Sequence, residues 1–205
     1  MSVGKKNDDE NMSIEVINRR LACENKKFFV YFDHIIDSTG SKEQNYLVVA
    51  PRIVNENLVT GVAILPILDQ KIGLIRIYRP AIRDYSLEIP HGFIDEGEKV
   101  KSAALRELME ETGLAAKMSN FYSLGYITPD AGVLAARVQV FLAEACFSSG
   151  QTLAELGLRG FRFFTFMEFE SMIENSEVQD TFTIAAWCKY KLLQNAKRAA
   201  KKIHD

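Results

Sequence analysis

Cysteine, histidine and tryptophan are scarce in this 205-residue chain, at three, three and one, and proline occurs five times. Cys23, Cys146 and Cys188 are odd in number and far apart, which argues against a disulfide framework or a zinc site of paired cysteines. His34, His91 and His204 form no His-Glu-x-x-His pattern of a zinc hydrolase. Neither charge sign is in surplus. With 25 Lys and Arg against 27 Asp and Glu, the net charge of −2 offers no overall attraction to a nucleic-acid backbone. No apolar run approaches the roughly 20 residues that cross a bilayer, and residues 1–13 are polar where a secretory signal would be apolar. A cytoplasmic protein with no nucleic-acid or membrane partner is expected. The 47% of apolar residues leaves no room for long disorder, and the length suits one full domain with a small appendage.

Residues 1–12 are polar and are expected to form a flexible N-terminus. Short apolar groups follow, at Ile14, Val16 and Ile17, at residues 28–32 and at residues 46–49, and they predict strands. Residues 13–56 hold too few apolar side chains for a core of their own. A small antiparallel sheet, packed on the main body or on a second subunit, is therefore expected there.

The main domain is assigned to residues 57–205. The run GVAILPIL at 61–68, the turn Asp69, Gln70, Lys71 and the apolar residues 72–78 predict a hairpin of buried strands. Pro80, Pro90, Gly92 and Gly97 predict mainly loop until a helix starts near Glu98, and Gly113 suits its left-handed stop. Further strands are expected at 121–127, 138–143 and 161–166, with a turn at 129–132. Thr165 and Glu168 have capping-box spacing ahead of a short helix at 168–175. Asp180 can cap a last helix to about Lys201, with Ile184, Trp187, Cys188 and Leu192 on its apolar face.

The informative stretch is GFIDEGEKVKSAALRELMEETGL at 92–114. On a helix Glu107, Glu110 and Glu111 fall within roughly 100° of one another, and Ala104, Leu105, Leu108 and Met109 take another side. Acids so close repel each other, and a solvated helix face is the ordinary reading of such a run. The only basic residue nearby is Arg106, whose expected partner is Glu98, so the repulsion stands. A divalent cation would relieve it, and oxygen-only ligands select Mg²⁺ or Mn²⁺ over zinc. Magnesium shares its ligand positions with substrate phosphates, which points to phosphate chemistry.

These residues match the Nudix box, G-x5-E-x7-R-E-U-x-E-E-x-G-U with U apolar, at every defined position: Gly92, Glu98, Arg106, Glu107, Leu108, Glu110, Glu111, Gly113 and Leu114. The chain thus resembles the Nudix hydrolases. The resemblance implies an α/β fold, an α/β/α sandwich around a mixed sheet, with a small N-terminal antiparallel sheet beside it. It implies Glu107 and Glu111 as metal ligands, Glu110 as ligand or water-orienting group, and Gly92, Glu98, Arg106 and Gly113 as structural residues. Outside the box, Tyr78, Arg79 and Pro80, then Leu87, Glu88, Ile89 and Pro90, and later Pro129, resemble the ADP-ribose pyrophosphatase branch. That branch implies Arg79 and Glu88 at the substrate, and a homodimer formed through residues 13–56.

Three departures from the branch shape the site. His91 stands where alanine is usual, adding an imidazole beside the metal; packing or a hydrogen bond to the loop is preferred to its being a ligand. The turn at Pro129 carries Asp130, which can stand in for the branch's acids at the substrate. Residues 157–162 are basic where a catalytic glutamate is common, and Glu155 is the nearest acid. Either Glu155 reaches the site or Glu110 or Glu111 positions the water; alternatively the positive stretch binds a more anionic substrate. Hydrolysis of ADP-ribose or a related nucleoside diphosphate sugar is the first expectation. Another diphosphate substrate, such as a dinucleoside polyphosphate or a coenzyme, or a catalytically weak nucleotide-binding regulator, are the rivals.

Overall fold

The computed structural model describes residues 13–144, 147–148 and 156–204. Residues 1–12, Cys146 and Glu155 lie outside the described residues. Two compact units divide the chain: the described residues up to Val54 with Asp130–Ala136, and Asn55–Pro129 with the described residues from Arg137 onward.

The first unit is an antiparallel sheet of β1 (Ile14–Glu24), β2 (Phe28–Asp37) and β3 (Lys42–Pro51), in that order. Aromatic and β-branched residues in β2 suit the central strand. Asp33 is buried there, and Arg19 satisfies it with two hydrogen bonds of 2.8 and 2.7 Å. Residues 130–136 run along β3, where Val49 N–H donates to Val133 O and Ala135 N–H to Val49 O. Ile14, Val16, Ile17 and Leu21 on β1 are exposed.

The second unit is built on a mixed sheet ordered β12-β5-β4-β10-β9. Its strands are β4 (Val59–Leu68), β5 (Lys71–Arg79), β9 (Phe121–Ile127), β10 (Arg137–Glu144) and β12 (Leu158–Thr165). β4 is buried almost throughout and pairs in parallel with β10, which suits its continuous apolar sequence. Asp69 and Gln70 both take positive φ in the tight turn to β5, matching the twist of a hairpin.

β4 and β5 pair only next to that turn, at Ile67 with Ile72 and Leu68 with Lys71. Beyond it they splay. β6 (Asp84–Glu88) then pairs with β5, and β7 (His91–Phe93) with β4. The splay accommodates Pro66, which has no N–H to give, while the Ile64 N–H finds Pro90 O at 2.9 Å. The expected loop between Pro80 and Gly97 thus contains two short strands, separated by Pro90. Their hydrogen-bonding partners are remote in sequence, so local punctuation could not disclose them.

One helix lies on one face of the sheet and two on the other. α1 (Val100–Thr112) places Ala103, Ala104 and Leu108 against Val62, Ile64 and Phe141. α2 (Phe166–Glu174) and α3 (Thr181–His204) place Phe169, Met172, Ala186, Trp187 and Tyr190 against Leu65, Leu74 and Leu142. A further pair joins β8 (Leu114–Ala115) to β11 (Phe147–Ser148). The α/β/α sandwich with a separate N-terminal sheet is present.

Helix ends differ by a residue or two from their sequence signals. α1 begins after Lys99, and Gly113 stops it with φ 70° and its N–H on Met109 O. Thr165 and Glu168 form the expected capping box, so α2 begins at Phe166. α3 turns Ala186 and Tyr190 inward with Trp187, while Cys188 and Leu192 are exposed, correcting the assigned apolar face. β12 begins at Leu158, three residues before the strand expected at 161–166, so Arg159 belongs to a strand where a catalytic loop was expected.

Candidate active site

Glu107, Glu110 and Glu111 occupy one turn near the end of α1. Glu111 is buried with 4% of its surface exposed, an unfavourable place for a carboxylate without donors. The backbone N–H of His91 donates to its Oε2 at 2.8 Å. Glu107 rests on the neighbouring residue of β7: a Cβ built on Gly92 would lie 2.2 Å from Glu107 Oε1. Only glycine leaves room for that carboxylate. The short strand between Pro90 and the loop therefore receives two of the three acids.

Arg106 joins the loop to the helix. Its Nε and Nη2 donate to Glu98 Oε1 and Oε2 at 3.0 and 2.9 Å, and Nη2 also reaches Phe93 O at 3.0 Å. This is the expected structural pair. The same guanidinium turns Nη1 to Glu107 at 2.8 Å and Glu110 at 3.0 Å, contacts that the sequence reading did not assign. Hydrogen bonds from Arg106 hold the Glu98 carboxyl below its ordinary value, and Glu98 in turn raises the arginine's. One guanidinium cannot neutralise Glu98, Glu107 and Glu110 together, and Glu111 adds to the negative charge.

Among the described residues, no three His, Cys, Asp or Glu side chains converge as a metal site, and Arg106 holds Glu107 and Glu110. The donor chemistry nevertheless fits a hard divalent ion. Every acid on this turn offers oxygen, the local charge is negative in excess, and Gly92 keeps the space beside Glu107 clear of side chain.

A second arginine–glutamate pair links the last residue of β5 to the last residue of β6, four positions apart along the antiparallel ladder. Glu88 is nearly buried, and Arg79 donates from Nε at 3.0 Å and from Nη2 at 2.5 Å. Burial, the largest influence, pushes the Glu88 carboxyl up, but the hydrogen bonds and charge of Arg79, with His91 and Ser86, together hold the group below its ordinary value. His91 completes the arrangement. Its Nδ1 lies 3.0 Å from Ile89 O, which can only accept, and its Nε2 lies 3.1 Å from Arg79 Nη2, which can only donate. Both ring nitrogens are thus committed. The imidazole brackets Arg79 here, the hydrogen-bonding role preferred for it over that of a metal ligand.

Two residues at the start of α3 were missed. Thr183 is fully buried; its hydroxyl donates to Asp180 at 2.6 Å and accepts the Ile89 N–H at 2.9 Å. Phe182 packs edge-on against the His91 ring, with centroids 4.8 Å apart. The three-residue spacing of Asp180 and Thr183 was the available signal, but it reads only as a helix cap. Pro129 follows β9 in the second unit, whereas Asp130 belongs to the first and accepts the Gly132 N–H at 3.0 Å. Glu155 lies outside the described residues.

Comparison with known proteins adds an independent line. Residues 57–201 match the NUDIX domain model. An ADP-ribose pyrophosphatase of Bacillus subtilis is 33% identical over 144 residues, 69% of this chain and 76% of its own. A mouse ADP-sugar pyrophosphatase is 40% identical over 64 residues, and the match spans only 29% of either chain. Among solved structures, that of an ADP compounds hydrolase superposes with a TM-score of 0.74 at 21% identity, covering 92% of this chain and 96% of that one.

Proposed function

The chain belongs to the Nudix family, and we propose that it is a pyrophosphohydrolase acting on ADP-ribose or a related nucleoside diphosphate sugar. Water would attack one phosphorus of the diphosphate, releasing a nucleoside monophosphate and a sugar phosphate. The observation that carries this reading is the juxtaposition of Glu107, Glu110 and Glu111 on α1 with the β7 backbone that follows the Arg79–Glu88 pair. The pyrophosphatase relatives support the substrate class.

Glu107, Glu110 and Glu111 would hold Mg²⁺ or Mn²⁺. Such an ion neutralises phosphate charge and lowers the pKa of bound water. Arg79 would bring its positive charge to the diphosphate, with Glu88 and His91 holding Nε and Nη2 and so fixing the direction of the guanidinium before substrate arrives. Glu110 is partly exposed and is the acid best placed to orient water, since Glu111 is held by the His91 N–H.

Two further assignments belong to this reading. The exposed Ile14, Val16, Ile17 and Leu21 on β1 support a homodimer formed through the N-terminal sheet. The free thiols Cys23 and Cys188 support a cytoplasmic protein.

The test is product formation from ADP-ribose, other nucleoside diphosphate sugars, dinucleoside polyphosphates and coenzymes, with Mg²⁺, Mn²⁺ or chelator. Cleavage of a sugar nucleotide, lost in chelator and in Glu111→Gln with an unchanged circular dichroism spectrum, is expected. Tight nucleotide binding without turnover on any compound would make the protein a regulator.

A further inference from the structure

A cavity of about 570 Å³ opens on the other face of the mixed sheet, among β5, β6, β12 and α2. Strand alternation fixes its side. Leu87 and Glu88 are consecutive in β6 and point to opposite faces: Glu88 meets Arg79, whereas Leu87 packs with the α2 and α3 cluster. The cavity takes its apolar floor from Leu74, Leu87 and Phe164, all on that second face.

Its rim is cationic. Arg76 lies opposite Leu87 in the β5–β6 register, and Arg162 lies opposite Leu74 in the β12–β5 register. Arg159 is the extra residue where the β12 register shifts between Leu158 and Gly160, a bulge that redirects a side chain. All three line the cavity. Their guanidiniums are set by aromatic rings: Arg76 stacks 3.9 Å from the Tyr85 centroid and Arg162 4.4 Å from that of Phe164, while Arg159 Nε donates to the Tyr85 hydroxyl.

Among the described residues, no carboxylate lies within ion-pair distance of any of the three. Glu177 is the one acid lining the cavity. Glu168 is close enough for its charge to be felt at Arg162, but its carboxylate is occupied in the Thr165 capping box. Like charges gathered on neighbouring strands are unfavourable, and an anion would relieve them. A guanidinium stacked on a ring still presents its N–H edge, the geometry that grips phosphate.

We propose that this cavity binds a nucleoside monophosphate, its phosphate on Arg76, Arg159 and Arg162 and its base and sugar over the apolar floor. The volume falls within the range of roughly 300–1,000 Å³ usual for small-molecule pockets. The site is separate from the carboxylates of α1, so an occupant there would act on the sheet that carries Glu88 without competing for the diphosphate position.

Calorimetric titration of the full chain with AMP in chelator tests this. Arg76→Gln with Arg162→Gln is expected to weaken binding about tenfold or more, a loss near 1.4 kcal/mol, while Arg79→Gln changes it less than twofold. If the double variant does not fold, the exposed Arg162→Gln alone should weaken AMP about threefold. Adenosine and inorganic phosphate should each bind more weakly than AMP. Undiminished AMP binding in the rim variants overturns the proposal, as does adenosine or phosphate matching AMP. Loss of AMP binding in Arg79→Gln alone would place the nucleotide on the carboxylate side and leave the hydrolase reading standing.

Discussion

Arg79 and Arg106 both grip a glutamate through two nitrogens, yet their surroundings differ. Arg79 faces Glu88, which is buried, and His91 meets the same guanidinium at Nη2. Arg106 faces Glu98, Glu107 and Glu110 at once and spans a loop and a helix. The first pair is close to balanced and holds its guanidinium in one direction. The second is short of positive charge, which makes the carboxylate turn a receptor for a cation. The same chemical pair thus serves as an orienting device in one place and as an incomplete clamp in the other.

Breaking the incomplete clamp should have the largest effect. Arg106→Ala leaves three carboxylates facing one another and frees the loop from Phe93 to Glu98. Removing one partner of a buried pair costs about 3–5 kcal/mol, and partial exposure here should reduce that to about 2–3 kcal/mol. Turnover should fall at least about 10³-fold, because the acids lose their common anchor. Thermal unfolding in chelator and in Mg²⁺ sharpens the point. The loss should be greater in chelator, since the ion replaces some of the missing positive charge. Equal losses in both would mean that Arg106 acts through the loop alone.

Gly92→Ala probes the space beside the clamp. The added Cβ would collide with the end of the Glu107 side chain, which can swing away, so the fold should survive at a cost of about 1 kcal/mol. The carboxylate cannot then occupy its present position. A fall in kcat of about 10²-fold with KM changed less than threefold is expected. An unchanged kcat would show that the Glu107 position seen here is not the one used in catalysis.

The carboxylate helix was legible in the sequence because its spacing is local: Arg106, Glu107, Glu110 and Glu111 fall on one turn wherever the helix packs. Gly92 and Glu98 were legible as partners of that turn. β6 and β7 were not, since each is short and owes its existence to strands met elsewhere in the chain. The start of the basic stretch, with Arg159, reads locally as a loop and becomes strand only by pairing with β5. Thr183 was hidden for the same reason, its partner Ile89 lying 94 residues away. Two of the four residues assigned to the inner face of α3, Cys188 and Leu192, are apolar yet exposed, and periodicity alone does not separate them from Ala186 and Tyr190.

The balanced pair offers the subtlest test, through pH. In the intact protein the Glu88 carboxyl is held below its ordinary value of 4.5. Its contribution to stability is therefore present above that value and is lost as pH falls through the folded value. Arg79→Gln removes the hydrogen bonds and the charge that did most to offset burial, the largest influence on this group, so the carboxyl should rise above 4.5. A carboxyl raised by folding favours the folded state at low pH, and that advantage disappears as pH rises through its new value. The variant should be about 1–2 kcal/mol less stable at neutral pH, the cost of a buried charged group left short of donors. Near pH 4 the two proteins should converge, with the carboxyl neutral in the variant. Thermal midpoints measured across this range decide the matter: a deficit that stays constant with pH would mean that Arg79 stabilises by packing, and that the Glu88 charge is held by other donors.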